Sequence, residues 1–333
     1  MFRKALLSVA TLLAFLLPSF SQDNPLRFNE GGKFKVVQFT DTHLCVGKSE
    51  YRDGQAEKTF ARLRHAVETE RPDFLVFTGD IVTDGDGRRA WRRLLDTLSV
   101  LKTPYCIVFG NHDPETRIPR EEMSEMIASS PFSLNELNKE GRLADVELEV
   151  SSSSGKDVPL VLYCMDSQDY SRLEGVKGYG WFSVEQVEWL RKRCNVRTRR
   201  NDGIPVNSLA FFHICLPEYS SAFADHRNKS VGRRAENECP GALNTGMFAA
   251  MVETGSVMGV FAGHDHDNDY IVADKGVALG YGRFSGDDTT YTTFRSGVRV
   301  IVLEEGKRAF ETWILEDEGR IVNRARYENG QLK

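Results

Sequence analysis

The sequence predicts an α/β fold, one domain built from two packed β-sheets. Three observations carry that expectation. Short apolar runs alternate with amphipathic helical stretches over the N-terminal half, strand-like segments joined by short polar turns follow from Val257 onward, and no shift in composition marks a linker. With 41% apolar and 27% charged side chains in 333 residues, the chain can bury a sizeable core and is neither disordered nor fibrous. Its 43 basic and 48 acidic residues give a net charge of −5 with no concentrated basic stretch, which disfavours a nucleic-acid scaffold as partner. Six cysteines are too few for a disulfide-built fold.

Along the chain, 34–40 alternates and is rich in Val and Phe, Phe74–Thr78 is a short apolar run, and 105–109 is another. Each is followed by polar or Gly residues, so these read as strands ending in loops. Between them, Gln55–Glu70 places Phe60, Leu63 and Val67 on one helical face, and 90–101 repeats the pattern with Trp91, Leu94, Leu95 and Leu98. Strands alternating with helices imply a parallel sheet. Further on, 143–150 and 160–165 read as strands around a hairpin tip at 151–155. A helix over 184–194, a polar loop over 197–203, a strand over 208–212 and a helix over 244–253 continue the layered pattern. The segments Val257–Ala262, 270–273, Val277–Tyr281, 298–303 and 310–315 are expected to form an antiparallel sheet.

The N-terminus reads as an export address. Residues 1–4 carry two positive charges, 5–17 form an apolar run broken only by Ser8 and Thr11, and Ser19-Phe20-Ser21 offers small residues for cleavage. This is the three-part pattern of a secretory signal peptide over 1–21. A membrane anchor is the competing reading, but 13 residues at about 1.5 Å rise span only about 20 Å of a roughly 30 Å hydrocarbon core. No other stretch approaches the length of a membrane span. The mature chain is expected to be secreted or periplasmic, with a single domain over 30–320.

Five of the strand-like runs end in residue types that bind cations. These are Asp41-Thr42-His43, Gly79-Asp80, Gly110-Asn111-His112-Asp113, His213 and Gly263-His264-Asp265-His266. Ligand sites in open α/β sheets gather at the carboxyl ends of strands. Five of the seven histidines fall in these blocks, leaving His65 and His226 as expected surface residues. One such block alone is usually a turn or cap; five in order point to one metal centre. None of the ligands is Cys, which favours an open catalytic site over a closed structural one. Carboxylate, imidazole and Asn oxygen suit borderline ions such as Mn, Fe, Zn, Ni or Co, and a pair of cations about 3.5–4 Å apart needs a bridging carboxylate. His264 and His266 would point oppositely on an extended strand, so a bent loop begun by Gly263 is required for both to reach the ions.

These five blocks, in this order over 34–266, resemble the signature of the calcineurin-like metallophosphoesterase superfamily. The stretches Asp166-Ser167-Gln168-Asp169-Tyr170, His213-Ile214-Cys215-Leu216-Pro217-Glu218 and His264-Asp265-His266-Asp267-Asn268-Asp269-Tyr270 are similar to the branch of Dcr2-like phosphatases and plant purple-acid-phosphatase-29-like proteins. The resemblance implies a four-layer sandwich, two mixed β-sheets packed face to face and flanked by helices. It implies two divalent metal ions, one held by Asp41, His43 and His266, the other by Asn111, His213 and His264, with Asp80 bridging. It implies hydrolysis of a small phosphomonoester by a hydroxide shared between the ions, with Asn111 and His112 against the phosphate and His112 as acid or clamp.

Asp113 is expected either to orient the His112 imidazole as part of the catalytic group or to cap a helix before Pro114. Arg283 is expected either to fork onto phosphate or to lie solvated in its loop. A phosphodiesterase acting on cyclic nucleotides or other small diesters is the alternative enzyme, since the same ion pair serves both. A non-catalytic metal- or phosphate-binding protein would be expected to lack a ligand or His112, and none is missing. Purple acid phosphatases carry Tyr three residues after the bridging Asp and an Asp-x-Gly block; Thr83 and Asp41-x-His43 stand here, so no ferric-tyrosinate centre is expected.

Cys106 and Cys164 fall in apolar strands as buried thiols, and Cys215 with Cys239 is the pair expected to bridge after export. The charged run 225–239 is expected as a solvated loop or a substrate-selecting lid. N-terminal sequencing of protein from its own cell is expected to begin at Gln22; an intact Met1 in the cytosol overturns the export reading.

Overall fold

The computed structural model describes residues 24–47, 55–287 and 290–333, so the expected signal peptide over 1–21 lies outside the described residues. The chain begins β1 (Lys33–Phe39), β2 (Leu44–Val46), α1 (Gln55–Glu70), β3 (Phe74–Thr78), β4 (Val82–Gly85), α2 (Gly87–Leu101) and β5 (Tyr105–Val108). It continues α3 (Arg120–Ala128), β6 (Val146–Val150), β7 (Leu160–Cys164), α4 (Val184–Arg200), β8 (Asn207–Phe211), α5 (Glu218–Ala224), β9 (Ser230–Val231) and α6 (Met247–Thr254). Strands complete it: β10 (Val257–Ala262), β11 (Ile271–Asp274), β12 (Val277–Tyr281), β13 (Gly297–Glu304), β14 (Ala309–Glu316), β15 (Ile321–Glu328) and β16 (Gln331–Leu332).

Two mixed seven-stranded sheets result. The first runs β16-β15-β14-β13-β1-β3-β5, with β1, β3 and β5 parallel and the remaining pairs antiparallel. The second runs β6-β7-β8-β10-β12-β11-β9, parallel from β7 to β12 and antiparallel at both edges. Alternation sorts each strand of the first sheet between two cores. Phe34 and Val36 of β1 enter the layer between the sheets with Met258, Phe261, Ile301 and Phe310. Val37 and Phe39 face the other way, onto Phe60, Trp91 and Leu94 of α1 and α2. Leu190 of α4 and Met251 of α6 cover the second sheet. Helices, sheet, sheet, helices is the four-layer sandwich.

The C-terminal strands depart from expectation. They do not form one antiparallel sheet: β10 lies inside the second sheet, parallel to β8 and β12, while β13 to β16 complete the first. All six residues of β10 are buried and show no alternation, the pattern of a strand covered on both faces. Pairing continues to Leu332, past the expected boundary at 320. Helix α4 runs on to Arg200, with Ser183 and Gln186 forming a capping box and Arg197 in its last turn paired with Glu147 and Glu149 of β6. Helix α6 starts only at Met247, because Gly246 before it takes φ +90°, outside the helical range.

Buried polar contacts join the two sheets near the strand ends that carry the motifs. Gln38 Nε2 of β1 donates to Thr78 Oγ1 and to Ala262 O, 2.8 and 3.0 Å. Arg299 of β13 donates across to Tyr281 O, Asp269 O and Thr312 Oγ1. Arg283, 3% exposed, is ion-paired with Asp269 and Glu316 and donates to Arg295 O. It therefore neither forks onto phosphate nor lies solvated. Two buried carboxylates neutralise its charge, and it staples the second sheet to β14.

Arg283→Ala removes the guanidinium shared by those carboxylates, leaving Asp269 to Asn323 and Glu316 to Arg320. Urea unfolding is expected to show a loss of about 3–5 kcal/mol, while phosphate affinity of the folded protein stays within about twofold.

Candidate metal centre

The ligand loops leave the carboxyl ends of β1, β3 and β5 in the first sheet and of β8 and β10 in the second. To turn side chains back over the strand ends, Asp41, His43, Asp80 and His264 adopt φ of 52°, 41°, 52° and 77°. Such left-handed conformations cost non-glycine residues on the order of 1–3 kcal/mol each and persist where surrounding contacts hold them. Here the Asp41 N–H bonds to Gly79 O and the His43 N–H to Asp80 O, both at 3.0 Å. The bend at Gly263 also differs in detail from expectation. His264 carries the left-handed turn, and Gly263 is needed because a Cβ there would sit 1.9 Å from Thr40 Oγ1. A Cβ on Gly110 would likewise meet Asp80 Oδ1 at 2.2 Å.

All seven sequence-predicted ligands converge. Asp41, His43, Asp80 and His266 place ligand atoms within 4.8 Å of one another, and so do Asp80, His213 and His264. Asn111 Oδ1, 3.1 Å from His213 Nε2, joins the second group. Asp80 belongs to both, as a bridge must. The ring orientations suit cations: His213 Nδ1 and His266 Nδ1 lie 2.8 and 2.9 Å from the carbonyls of Thr78 and Tyr291, so each donates there and turns its Nε2 inward, where a cation would replace the Nε2 proton. His43 Nε2 then faces His266 Nε2 at 3.2 Å, and His266 Nε2 faces Asp41 Oδ1 at 3.5 Å. Lone pairs gathered this closely fit a dinuclear cation site.

The electrostatics agree. Burial lowers His43 to about 4 and His264 to about 3, the latter helped by His213, so both imidazoles stay neutral and able to ligate. Burial also opposes charge on His213, but Asp80 at 3.2 Å outweighs it and pushes His213 up to about 10. Burial opposes charge on Asp41 and Asp80 too, yet His266 and His213 respectively hold them below the usual carboxylate range. A cation bound here would take the place of the His213 proton.

Asp113 has a different task from the one expected. It is fully buried, and its carboxylate accepts the N–H groups of Gly110, Asp80, Ile81 and Val82 at 2.8–3.0 Å. None of its bonds goes to the His112 ring, and it does not cap the 3₁₀ turn Asp113–Thr116 that it begins. Glu115 meets His112 Nδ1 instead, at 2.9 Å. The His112-x-x-Glu115 spacing was the available signal for that pair.

The run 225–239 is a brace. Glu236 accepts from Asp267 N and Tyr291 Oη, Asn268 Oδ1 from Ala235 N, and Asp265 from Cys239 N, pinning it to the His264–His266 loop. Cys215 and Cys239 are free thiols, not the expected bridge: Cys215 is buried with Sγ toward Asp265, and Cys239 is exposed with Sγ toward Asn237 O. His65 and His226 are exposed, as expected.

A two-cation cradle at the carboxyl ends of a four-layer α/β sandwich defines a metal-dependent phosphoric ester hydrolase. Residues 34–268 match the family described as calcineurin-like phosphoesterase, and the chain belongs to that family. Among its relatives, a protein of Arabidopsis thaliana named probable inactive purple acid phosphatase 29 is 28% identical, covering 92% of this chain and 86% of its own. Phosphatase DCR2 of Saccharomyces cerevisiae is 30% identical over 75% of this chain and 46% of its own. The crystal structure of a dimetal phosphatase from Danio rerio superposes with TM-score 0.59 at 18% identity, covering 89% of this chain and 99% of that one, a likeness of fold.

Elemental analysis of metal-replete protein is expected to find two ions per chain. Asp80→Asn is expected to lose both because the bridging charge goes, and Asn111→Ala chiefly one.

Proposed function

We propose that the protein is a secreted or periplasmic phosphomonoesterase working with two divalent ions drawn from Mn, Fe, Zn, Ni or Co. The observation that carries this reading is the completeness of the centre. Every ligand converges, and His112 stands at the rim with its side chain 38% exposed and its ring centroid 5.7 Å from that of His43. The likeness to a yeast phosphatase over three-quarters of the chain supports the monoester preference. No helix among the described residues is long and apolar enough to cross a membrane.

Ions held here supply Lewis acidity toward the phosphoryl oxygens and lower the pKa of water toward neutrality. The chain supplies orientation and proton handling. Asp80 Oδ1 accepts the His112 N–H at 2.7 Å, which ties the rim to the bridging carboxylate. Glu115 accepts the hydrogen bond of His112 Nδ1–H, which orients the ring and leaves Nε2–H to donate to the leaving oxygen or to a phosphoryl oxygen.

The name of the Arabidopsis relative favours a second reading, a binding protein without turnover. Against it stands the full ligand set with His112. A panel of phosphomonoesters, phosphodiesters and nucleotides across added metals decides: monoester turnover is expected, diester turnover alone makes the protein a phosphodiesterase, and no turnover with both ions bound makes it a binding protein.

His112→Ala is expected to lower kcat by roughly 10² to 10⁴-fold with both ions retained. If His112 protonates the leaving oxygen, an alkyl phosphate suffers more than an activated aryl phosphate; if it clamps phosphate, both suffer alike.

A further inference from the structure

The stretch Asp166-Ser167-Gln168-Asp169-Tyr170 contains no metal ligand, yet most of its polar groups are used in local support. It follows β7 as a hook. Asp166 pairs with Arg120 and accepts from Gln168 N; Ser167 Oγ accepts from Ile214 N, next to the ligand His213. Gln168 takes φ 70°, and Asp169 accepts from Tyr170 N at 2.7 Å while pairing with Arg120 and Arg172. The hook ends by placing Tyr170 Oη 3.1 Å from Asn111 Nδ2.

That contact has a direction. The Asn111 amide donates through Nδ2 to the phenol, which turns Oδ1 toward His213 Nε2 and the cation position. The phenol is left with its own O–H to donate, and among the described residues no acceptor takes it. Tyr170 is 44% exposed and its ring stacks on Tyr179 at 5.7 Å; Tyr179 in turn meets the His264 ring edge-on at 4.3 Å. An oriented donor thus stands at the mouth of the second cation position, supported from below and open to solvent.

We propose that Tyr170 is a substrate-contacting residue, orienting Asn111 and donating its hydroxyl hydrogen to a non-bridging oxygen of the phosphoryl group. The proposal rests on the two-ion phosphoesterase reading. It assigns the hook the task of supplying an anion donor on the side of the centre away from His43 and His266. Arg120 and Arg283, both paired with carboxylates, leave that donor role to a neutral hydroxyl.

The test compares wild-type and Tyr170→Phe protein, both metal-replete, by calorimetric titration with inorganic phosphate, by metal content, and by kcat and KM on an aryl phosphate. A lost hydrogen bond to a charged oxygen predicts about 10- to 100-fold weaker phosphate binding and a similar fall in kcat/KM, with two ions still bound. Equal phosphate affinities overturn the assignment whatever the turnover. Loss of one ion from the variant reduces Tyr170 to a support for Asn111 and also overturns it. Weaker phosphate binding by the variant in a protein that hydrolyses no monoester leaves Tyr170 in place and removes the monoesterase reading instead.

Discussion

The centre depends on one buried carboxylate that binds no metal. Asp113 gathers the N–H groups of Gly110, Asp80, Ile81 and Val82, so the loop after β3 and the loop after β5 are held as one piece. That grip holds Asp80 in its left-handed conformation and brings Asp80 Oδ1 onto the His112 N–H. Burial and the neighbouring Asp80 charge push Asp113 up to about 7, against the pull of the four donors. Cations held beside Asp80 would oppose that rise and favour the carboxylate that accepts these four bonds.

The second constraint is that the ligands come from two different sheets. Asp41, His43, Asp80 and Asn111 follow strands of the first, and His213, His264 and His266 strands of the second. Their separation is set by how the sheets stack. The apolar layer around Phe34, Phe261 and Phe310 sets the spacing, and Gln38, Arg299 and Arg283 lock the relative position near the strand ends. A hydrogen bond between the Asp41 carboxylate and His264 N at 3.1 Å closes the joint at the centre itself. Substitutions far from the ions that let the sheets slide are therefore substitutions in the site.

Charge is arranged with the same economy. Arg120 and Arg283 are both paired with carboxylates, so neither holds a guanidinium free for an anion. The ligand atoms that face one another make the cradle a site for cations, and on the proposed function an anion would be held there through them.

The ligand blocks were legible because their chemistry leaves local marks. Metal-binding residue types recur at strand ends, and Gly110 and Gly263 stand where any Cβ would collide with a neighbouring loop. The apolar periodicities marked most strands and the first two helices for the same reason, since burial on one face or two imprints itself within a few residues. The strand partners of β10, the task of Asp113 and the place of Tyr170 left no such mark. Arg283 looked like a loop arginine because its partners Asp269 and Glu316 are distant in sequence, and Tyr170 reaches Asn111 from another sheet. A residue's type and spacing record what its own element needs; which neighbour it meets is set by how the sheets stack, and here that stacking separates a buried staple from a group that can touch phosphate.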